Sequence, residues 1–387
     1  MLGKVPDKIL TIKINLMKKL FLIPILLFAT VHAQNIGIGT ISPSASAKLD
    51  VSSNNSGFLL PRMNTIERNA ITLPATGLQI YNTDNNSLDI WNGSGWMSIA
   101  ATGITFSNTW VQRTDFVGVG RTLAVSFTIG NKGYVGTGSS SPNLGDIWEY
   151  DPLTLAWTQK ATFGGTPRYG AIAFAIGTKG YLGTGFDNIN RNDFWEYNQP
   201  TNTWLPKQIF AGTARRSAVA FAVDTKGYIG TGYDGTYRKD FWEYDPAINS
   251  WSQKADFGGL ARRYAVGFSI GSKGYIGTGY DGTNVFSDFW EYNALSNSWI
   301  QKASVGGGAR YGAAAFVIGN KGYVSTGEIN SADLWEYNPV ADIWLQKADL
   351  PGGARGFGVG FGIGYKGYIS TGGSTAPFKK DLWEYTQ

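Results

Sequence analysis

The sequence predicts an all-β chain, and three observations carry the prediction. From Trp110 to the C-terminus one unit recurs with a period below 50 residues, the mark of elements that bury their apolar faces against neighbouring copies. Each copy holds four short runs rich in β-branched and aromatic residues, split by turn residues. No segment of this region carries a sustained helical period with caps.

Residues 215–262 show the unit: Arg215, Phe221, Lys226-Gly227-Tyr228, Gly230-Thr231-Gly232, Asp240, Trp242-Glu243-Tyr244, Trp251 and Lys254, before Arg262 restarts the pattern. Arg121, Arg168, Arg215, Arg262, Arg310 and Arg355 each stand six residues before a phenylalanine, and a tyrosine follows that phenylalanine by seven. Trp-Glu-Tyr triplets begin at Trp148, Trp195, Trp242, Trp290, Trp335 and Trp383. A second tryptophan follows nine residues after each of the first five. The last triplet has no follower, whereas Trp110 lies eleven residues before Arg121, as Trp157 does before Arg168. The runs Ala218–Val223, Gly227–Gly232, Asp240–Tyr244 and Ser250–Ala255 read as antiparallel strands a, b, c and d. Four-stranded units repeated radially make a β-propeller. Joining the two chain ends gives six blades, the N-terminal strand at Trp110 supplying strand d of the last sheet and covering edges that an open ring would expose.

The paired tryptophans, the tyrosine of Trp-Glu-Tyr, the small end of strand b and the arginine before strand a resemble the kelch repeat family over about residues 105–387, including propellers of galactose oxidase and sialic acid mutarotase type. One departure is consistent. The family's adjacent glycine pair is Gly136-Thr137-Gly138 and its equivalents here, or Ser325-Thr326-Gly327. Function does not follow from such a fold, which hosts unrelated activities.

At the N-terminus, Lys18 and Lys19 precede the apolar run Leu20 to Ala29, and Val31-His32-Ala33 fits a small-residue cleavage site. Residues 1–33 are therefore expected to be an export signal, with Gln34 as the new N-terminus and the mature chain extracellular, at the cell surface or periplasmic. The run is short for a membrane anchor, and no integral membrane segment is expected after processing. The formal charge of +5 includes five lysines and one aspartate within residues 1–33, leaving +1 on the rest. Nucleic-acid binding, which needs clustered basic residues, loses its support.

Residues 34–104 form a separate region containing Gly37-Ile38-Gly39-Thr40, Ala47-Lys48-Leu49-Asp50-Val51, Pro61-Arg62-Met63, Ile80-Tyr81-Asn82 and Trp91-Asn92-Gly93. It resembles N-terminal modules of exported bacterial surface proteins and tail-fibre-like heads. As in fibres, the resemblance implies a homotrimer; the other reading is a small monomeric β-rich lead-in.

The chemistry is narrowed by exclusion. The chain has no cysteine, and its one histidine, His32, falls within the expected signal. Disulfides and Ser-His-Asp or Cys-His schemes are removed, and zinc or copper lose their usual ligands. Galactose-oxidase-type chemistry, which the resemblance would tie to a copper centre with His ligands and a Cys-linked Tyr, has no counterpart here. No cofactor or metal is expected. The strand c glutamates should pair across the sheet with Lys160, Lys207, Lys254, Lys302, Lys347 and Arg113.

Only the Tyr-to-Trp spacing varies, running 14, 14, 14, 15, 12 and 15 residues, which places the length variation in the b-c loops. In a propeller these share one rim with the d-a loops, and binding specificity is commonly built on such loops. The candidate ligand residues are Tyr233, Asp234, Tyr237, Arg238, Tyr280, Asp281, Asn284 and Phe286, with Arg216 and Arg263, which are extra to the repeat. The six repeat arginines, Arg121, Arg168, Arg215, Arg262, Arg310 and Arg355, are expected near the central opening, as blade-to-blade links or as ligands for a carboxylate or sulfate. The expected function is non-catalytic binding of a glycan or protein. The alternative is a cofactor-free sugar epimerase or mutarotase resembling the sialic acid mutarotases, using an arginine and a pattern-breaking carboxylate; the d-a loops offer only Asp115, Asp256 and Asp349.

Overall fold

The alternation of buried and half-exposed residues in every strand a, as in Val125–Ile129 and Val219–Val223, is the period-2 signature of a sheet packed on a neighbour. In the computed structural model, which describes residues 36–38, 40, 42, 47–53, 57–84, 87–100, 108–328 and 331–387, the chain divides into two units, one ending at Thr102 and the other beginning at Gly103. The expected export signal lies outside the described residues.

The second unit is a β-propeller of six four-stranded antiparallel sheets in the order a-b-c-d. Blade three has strands Val219–Val223, Lys226–Gly230, Phe241–Asp245 and Ser250–Lys254. These lie within two residues of the runs read from sequence. Strand b stops early because Thr231 and Gly232 both take left-handed backbone, with φ of 61° and 100°. Blade six consists of Val359–Ile363, Lys366–Ser370 and Leu382–Thr386, completed by Thr109–Arg113. In that closure Tyr385 faces Trp110 and Trp383 faces Gln112.

Aromatic side chains fill the space between blades. The strand b tyrosines and the tyrosines of Trp-Glu-Tyr are at most 2% exposed, and rings from successive blades meet edge to face, as Tyr228 does with Tyr292 and Phe241 with Trp299. Each such ring removes roughly 150–250 Å² from water. The glycine of each Lys-Gly-Tyr is required by this packing. A Cβ on Gly227 would lie 2.2 Å from the Phe174 ring of the preceding blade.

Three rings of hydrogen bonds run around the disc. The second tryptophan of each blade donates its indole N–H to a backbone carbonyl at the end of the preceding strand d, from Trp157 to Thr114 O (3.2 Å) through to Trp110 to Ala348 O (2.8 Å). The last glycine of each Gly-Thr-Gly, or its equivalent, donates to the repeat arginine's carbonyl in the next blade, as Gly138 N does to Arg168 O (2.8 Å), and Gly372 N to Arg121 O (2.9 Å) closes the circle. Around the channel mouth, Leu123, Gly170, Ser217, Tyr264, Gly312 and Phe357 each donate an amide to the carbonyl of the previous member. All six sit at φ between 54° and 62°. This is a closed backbone annulus.

The first unit contains a parallel pair, Ile36–Ile38 with Leu49–Val51, and a sheet of Arg62–Met63, Gln79–Asn82, Ser87–Trp91 and Trp96–Ala100. A five-residue helix, Thr65–Asn69, carries a capping box between Asn64 and Glu67. The sheet buries a polar centre. Asp89 accepts hydrogen bonds from Arg68 (2.6 Å), Asn82 (2.9 Å) and Ser87 (2.7 Å). Burial raises its pKa, but hydrogen bonds from Ser98, Ser87, Asn82 and Arg68 outweigh it and hold the carboxyl pKa at about 2.

Candidate functional site

The six repeat arginines are corrected from candidate ligand residues to internal ties. Their side chains are at most 1% exposed, and each grips an aspartate of its own blade through two guanidinium nitrogens. Arg215 donates to Asp240 Oδ1 (2.6 Å) and Oδ2 (2.7 Å) and to the Thr231 carbonyl (2.9 Å). Asp146, Asp193, Asp288, Asp333 and Asp381 serve the other blades. Each of these aspartates also accepts the indole N–H of the tryptophan two residues on, as Trp242 donates to Asp240 (2.8 Å). The left-handed Thr231 is what turns its carbonyl onto the arginine. In four blades a phenylalanine, such as Phe210 at 5.1 Å from Arg215 Cζ, covers the guanidinium. Links to the next blade come from the arginine's backbone carbonyl, not its side chain. The recurring aspartate two residues before Trp-Glu-Tyr was the sequence signal for this pairing.

The strand c glutamates have an additional partner. Tyr228 Oη donates to Glu243 (2.6 Å), and the same bond recurs in every blade. Five of the expected cross-strand ion pairs form. Lys302 instead reaches Asp342 at 3.7 Å.

At the channel mouth, the residue after each repeat arginine lies beside the first residue of the b-c loop. Arg216 pairs with Tyr233 and Arg263 with Tyr280 through backbone bridges, whereas the equivalent positions in other blades are Thr122, Tyr169, Tyr311 and Gly356. These pairings gather half-buried aromatic and cationic groups. Arg216 Cζ lies 4.4 Å from the Phe186 ring centroid and 5.2 Å from that of Tyr233. Arg263 lies 4.9 Å from Tyr233, 5.6 Å from Tyr237, 4.8 Å from Tyr264 and 6.0 Å from Tyr280. Tyr280 stacks on Tyr311 at 5.3 Å, and Tyr264 meets Phe357 at 4.8 Å. The result is an aromatic wall across blades three to six.

The other sequence candidates are engaged within their own loops. Asp234 pairs with Arg238 at 2.7 Å. Burial of its carboxyl is outweighed by hydrogen bonds from Arg238, Thr213 and Thr236, so its pKa lies well below the usual range. Asp281 accepts from the Asn284 amide and side chain, at 2.6 and 3.1 Å. Phe286 lies 4.0 Å from Arg262 Cζ and so lids a buried arginine. Arg216 and Arg263 have no carboxylate partner among the described residues.

Glu328 is a mouth residue that a search of the d-a loops misses. It opens the b-c loop of blade five, where other blades carry Ser139, Phe186, Tyr233, Tyr280 and Gly373, in the loop with the shortest Tyr-to-Trp spacing. It accepts from the Ser374 hydroxyl and borders a cavity of about 390 Å³ together with Arg355, Gly356, Pro377 and Lys379. Burial raises the pKa of the Tyr311 hydroxyl, and the nearby Glu328 charge adds to the effect. Among the described residues no cluster of three potential metal ligands occurs, and no helix is long and apolar enough to cross a membrane.

Fold and rim together define a β-propeller with a charged, aromatic channel mouth. Comparison with known proteins adds two findings. Residues 37–110 match the family described as "Phage tail like trimerisation region". Among solved structures, "Structure of YjhT" is similar with a TM-score of 0.59 at 19% identity, covering 69% of this chain and 95% of that one. That likeness is one of fold. No curated protein sequence matches the chain.

Proposed function

We propose that the chain is an exported, non-catalytic binding protein whose propeller takes a glycan or protein ligand on the b-c/d-a rim. The supporting observation is the contrast between matched and unmatched groups. The charges of Asp187, Arg191, Asp234 and Arg238 are satisfied inside their loops, while Arg216 and Arg263 stand against aromatic rings with no carboxylate partner among the described residues. The test is a glycan-array screen of the purified chain, repeated with Tyr237→Ala and Tyr280→Ala. Loss of signal with either supports the rim; binding that survives both rejects it. Phe286→Ala is a poor probe, since it uncovers Arg262.

Glu328 favours a second reading, a cofactor-free sugar epimerase or mutarotase resembling the sialic acid mutarotases. A carboxylate that breaks the repeat beside a cavity is the group such proton transfer requires. On this reading Glu328→Gln abolishes anomer interconversion, followed by NMR, while binding persists.

The N-terminal unit is proposed to assemble three chains. The match to a trimerisation region supports this, as does the exposure of Ile36, Ile38, Leu49 and Val51 on both strands of the parallel pair, at 40–61%. A two-stranded ribbon is marginally stable alone.

A further inference from the structure

We infer that the rim between blades five and six is a site for a small zwitterion, and that the ligand it takes is a free α-amino acid with an aliphatic side chain. The inference goes beyond the glycan or protein reading and does not depend on it. Two rim positions set blade six apart. The residue after the repeat arginine and the first residue of the b-c loop carry side chains in blades one to five, whereas blade six has Gly356 and Gly373 there. Part of the space so left is taken from the neighbouring blade. Glu328 lays its carboxylate over Gly356, so closely that a Cβ on that glycine would collide with Oε1. The rest is the cavity of about 390 Å³ bordered by both glycines and by Glu328, which falls in the usual range of about 300–1,000 Å³ for small-molecule sites.

Charges of opposite sign border this cavity without meeting. Glu328 accepts from the Ser374 hydroxyl, and Lys379 donates to the Gly352 carbonyl at 3.2 Å. Each is thus held by an uncharged partner, and among the described residues neither forms an ion pair. Arg355 is the third ionic neighbour, but its guanidinium is committed to Asp381 at 2.6 and 2.7 Å. A ligand of a single charge would find one complementary and one like charge here, whereas a ligand carrying both signs finds two complementary ones. The ammonium of such a ligand goes to the oxygens of Glu328 and Ser374, and its carboxylate to Lys379, an ammonium with three donors of which the Gly352 carbonyl takes one. A quaternary ammonium has no N–H to give those oxygens, which sets choline-type zwitterions apart. The remaining wall includes Ala354, Ala376 and Pro377, an apolar surface against which an aliphatic side chain loses contact with water.

The experiment is isothermal titration calorimetry of the purified full chain with L-leucine, N-acetyl-L-leucine and L-leucine methyl ester, repeated with Glu328→Gln, Lys379→Met and Gly356→Thr. L-Leucine should bind, and each blocked derivative should bind about tenfold to a hundredfold more weakly, because each loses a charge-assisted hydrogen bond. Glu328→Gln should weaken L-leucine and leave N-acetyl-L-leucine unchanged, while Lys379→Met should weaken L-leucine and leave the methyl ester unchanged. Gly356→Thr, which gives blade six the side chain of blade one, should displace the Glu328 carboxylate and abolish binding. Thermal unfolding of each variant checks that the propeller remains folded. Equal binding of L-leucine and either derivative, or L-leucine binding that survives Glu328→Gln or Gly356→Thr unchanged, overturns the inference. Tighter binding of L-lysine or L-glutamate than of L-leucine overturns the aliphatic side chain and supports the zwitterion. A chain that binds a glycan on its rim but no amino acid overturns this inference alone, and a chain that binds L-leucine but no glycan supports it and counts against the glycan.

Discussion

Leu155 is the one residue at its repeat position that works against the fold. The equivalents Asn108, Asn202, Asn249, Asn297 and Asp342 all take left-handed backbone, at φ of 40° to 54°, and Leu155 does the same at 57°. In those five blades the side-chain oxygen makes two bonds. It accepts from the tyrosine of Trp-Glu-Tyr, as Tyr244 donates to Asn249 (2.7 Å), and from a backbone amide of the preceding blade, as Gln208 N donates to Asn249 (3.0 Å). Leucine can do neither, and the Tyr150 hydroxyl is buried without a partner. Leu155→Asn should therefore stabilise the propeller. Relief of left-handed strain contributes about 1 kcal/mol, two new hydrogen bonds about 1 kcal/mol each, and the lost apolar contact of a side chain already 36% exposed offsets about 1 kcal/mol. The net gain is about 2 kcal/mol, read as a higher urea midpoint at unchanged slope and a rise of about 4 °C in Tm. Tyr150→Phe separates the contributions: close to neutral in the wild type, it should cost about 1 kcal/mol in the Leu155→Asn background. A variant no more stable than wild type, or a zero coupling energy, refutes the reasoning.

Arg215→Ala should destabilise by about 3 kcal/mol or more, because it strands Asp240 and the Thr231 carbonyl; urea unfolding measures it, and a loss below 1 kcal/mol would make the ties incidental. The carboxyls of Asp146, Asp240, Asp333 and Asp381 are held below the usual range, arginine hydrogen bonds outweighing burial. Their stabilisation is complete above the unfolded carboxylate value of about 4 and is lost as pH falls through the folded values, so Tm should hold near neutrality and drop below about pH 4. A flat acid profile would contradict this. In sedimentation the chain should run as a trimer, and Ile38→Glu with Val51→Glu should release monomers whose propeller circular dichroism is unchanged; a monomeric wild type removes the assembly.

The fold was legible because the packing constraints recur at fixed spacing. A glycine that must admit the Phe174 ring, a tyrosine that must reach Glu243 and a tryptophan that must bond the preceding blade each reappear in sequence at intervals that only a stacked repeat explains. Chain closure was legible for the same reason, since the missing second tryptophan of the last unit stands at Trp110. What spacing does not carry is side-chain direction. Arg215 and Arg216 are adjacent in sequence, and only the left-handed turn at Thr231 with Asp240 beyond it shows that the first turns into the blade while the second stays at the mouth. Glu328 is invisible to the d-a loop pattern because it lies on a b-c loop, and only the fold brings the two loop sets to one rim.

The same distinction indicates where function can reside on this scaffold. A group repeated in all six blades is held by its neighbours in all six: the buried arginines bind their matched aspartates, and the ring-forming amides bind one another's carbonyls. At the residue after each repeat arginine and at the first residue of each b-c loop, charge stands only where a blade departs from the others: at Arg216 and Arg263 in place of small or aromatic residues, and at Glu328 in place of serine, aromatic or glycine. These three lie around one mouth, with an aromatic wall between the two cations and the anion. The symmetric part of the sequence therefore builds the disc, and its few asymmetric residues give one face of it charge of both signs.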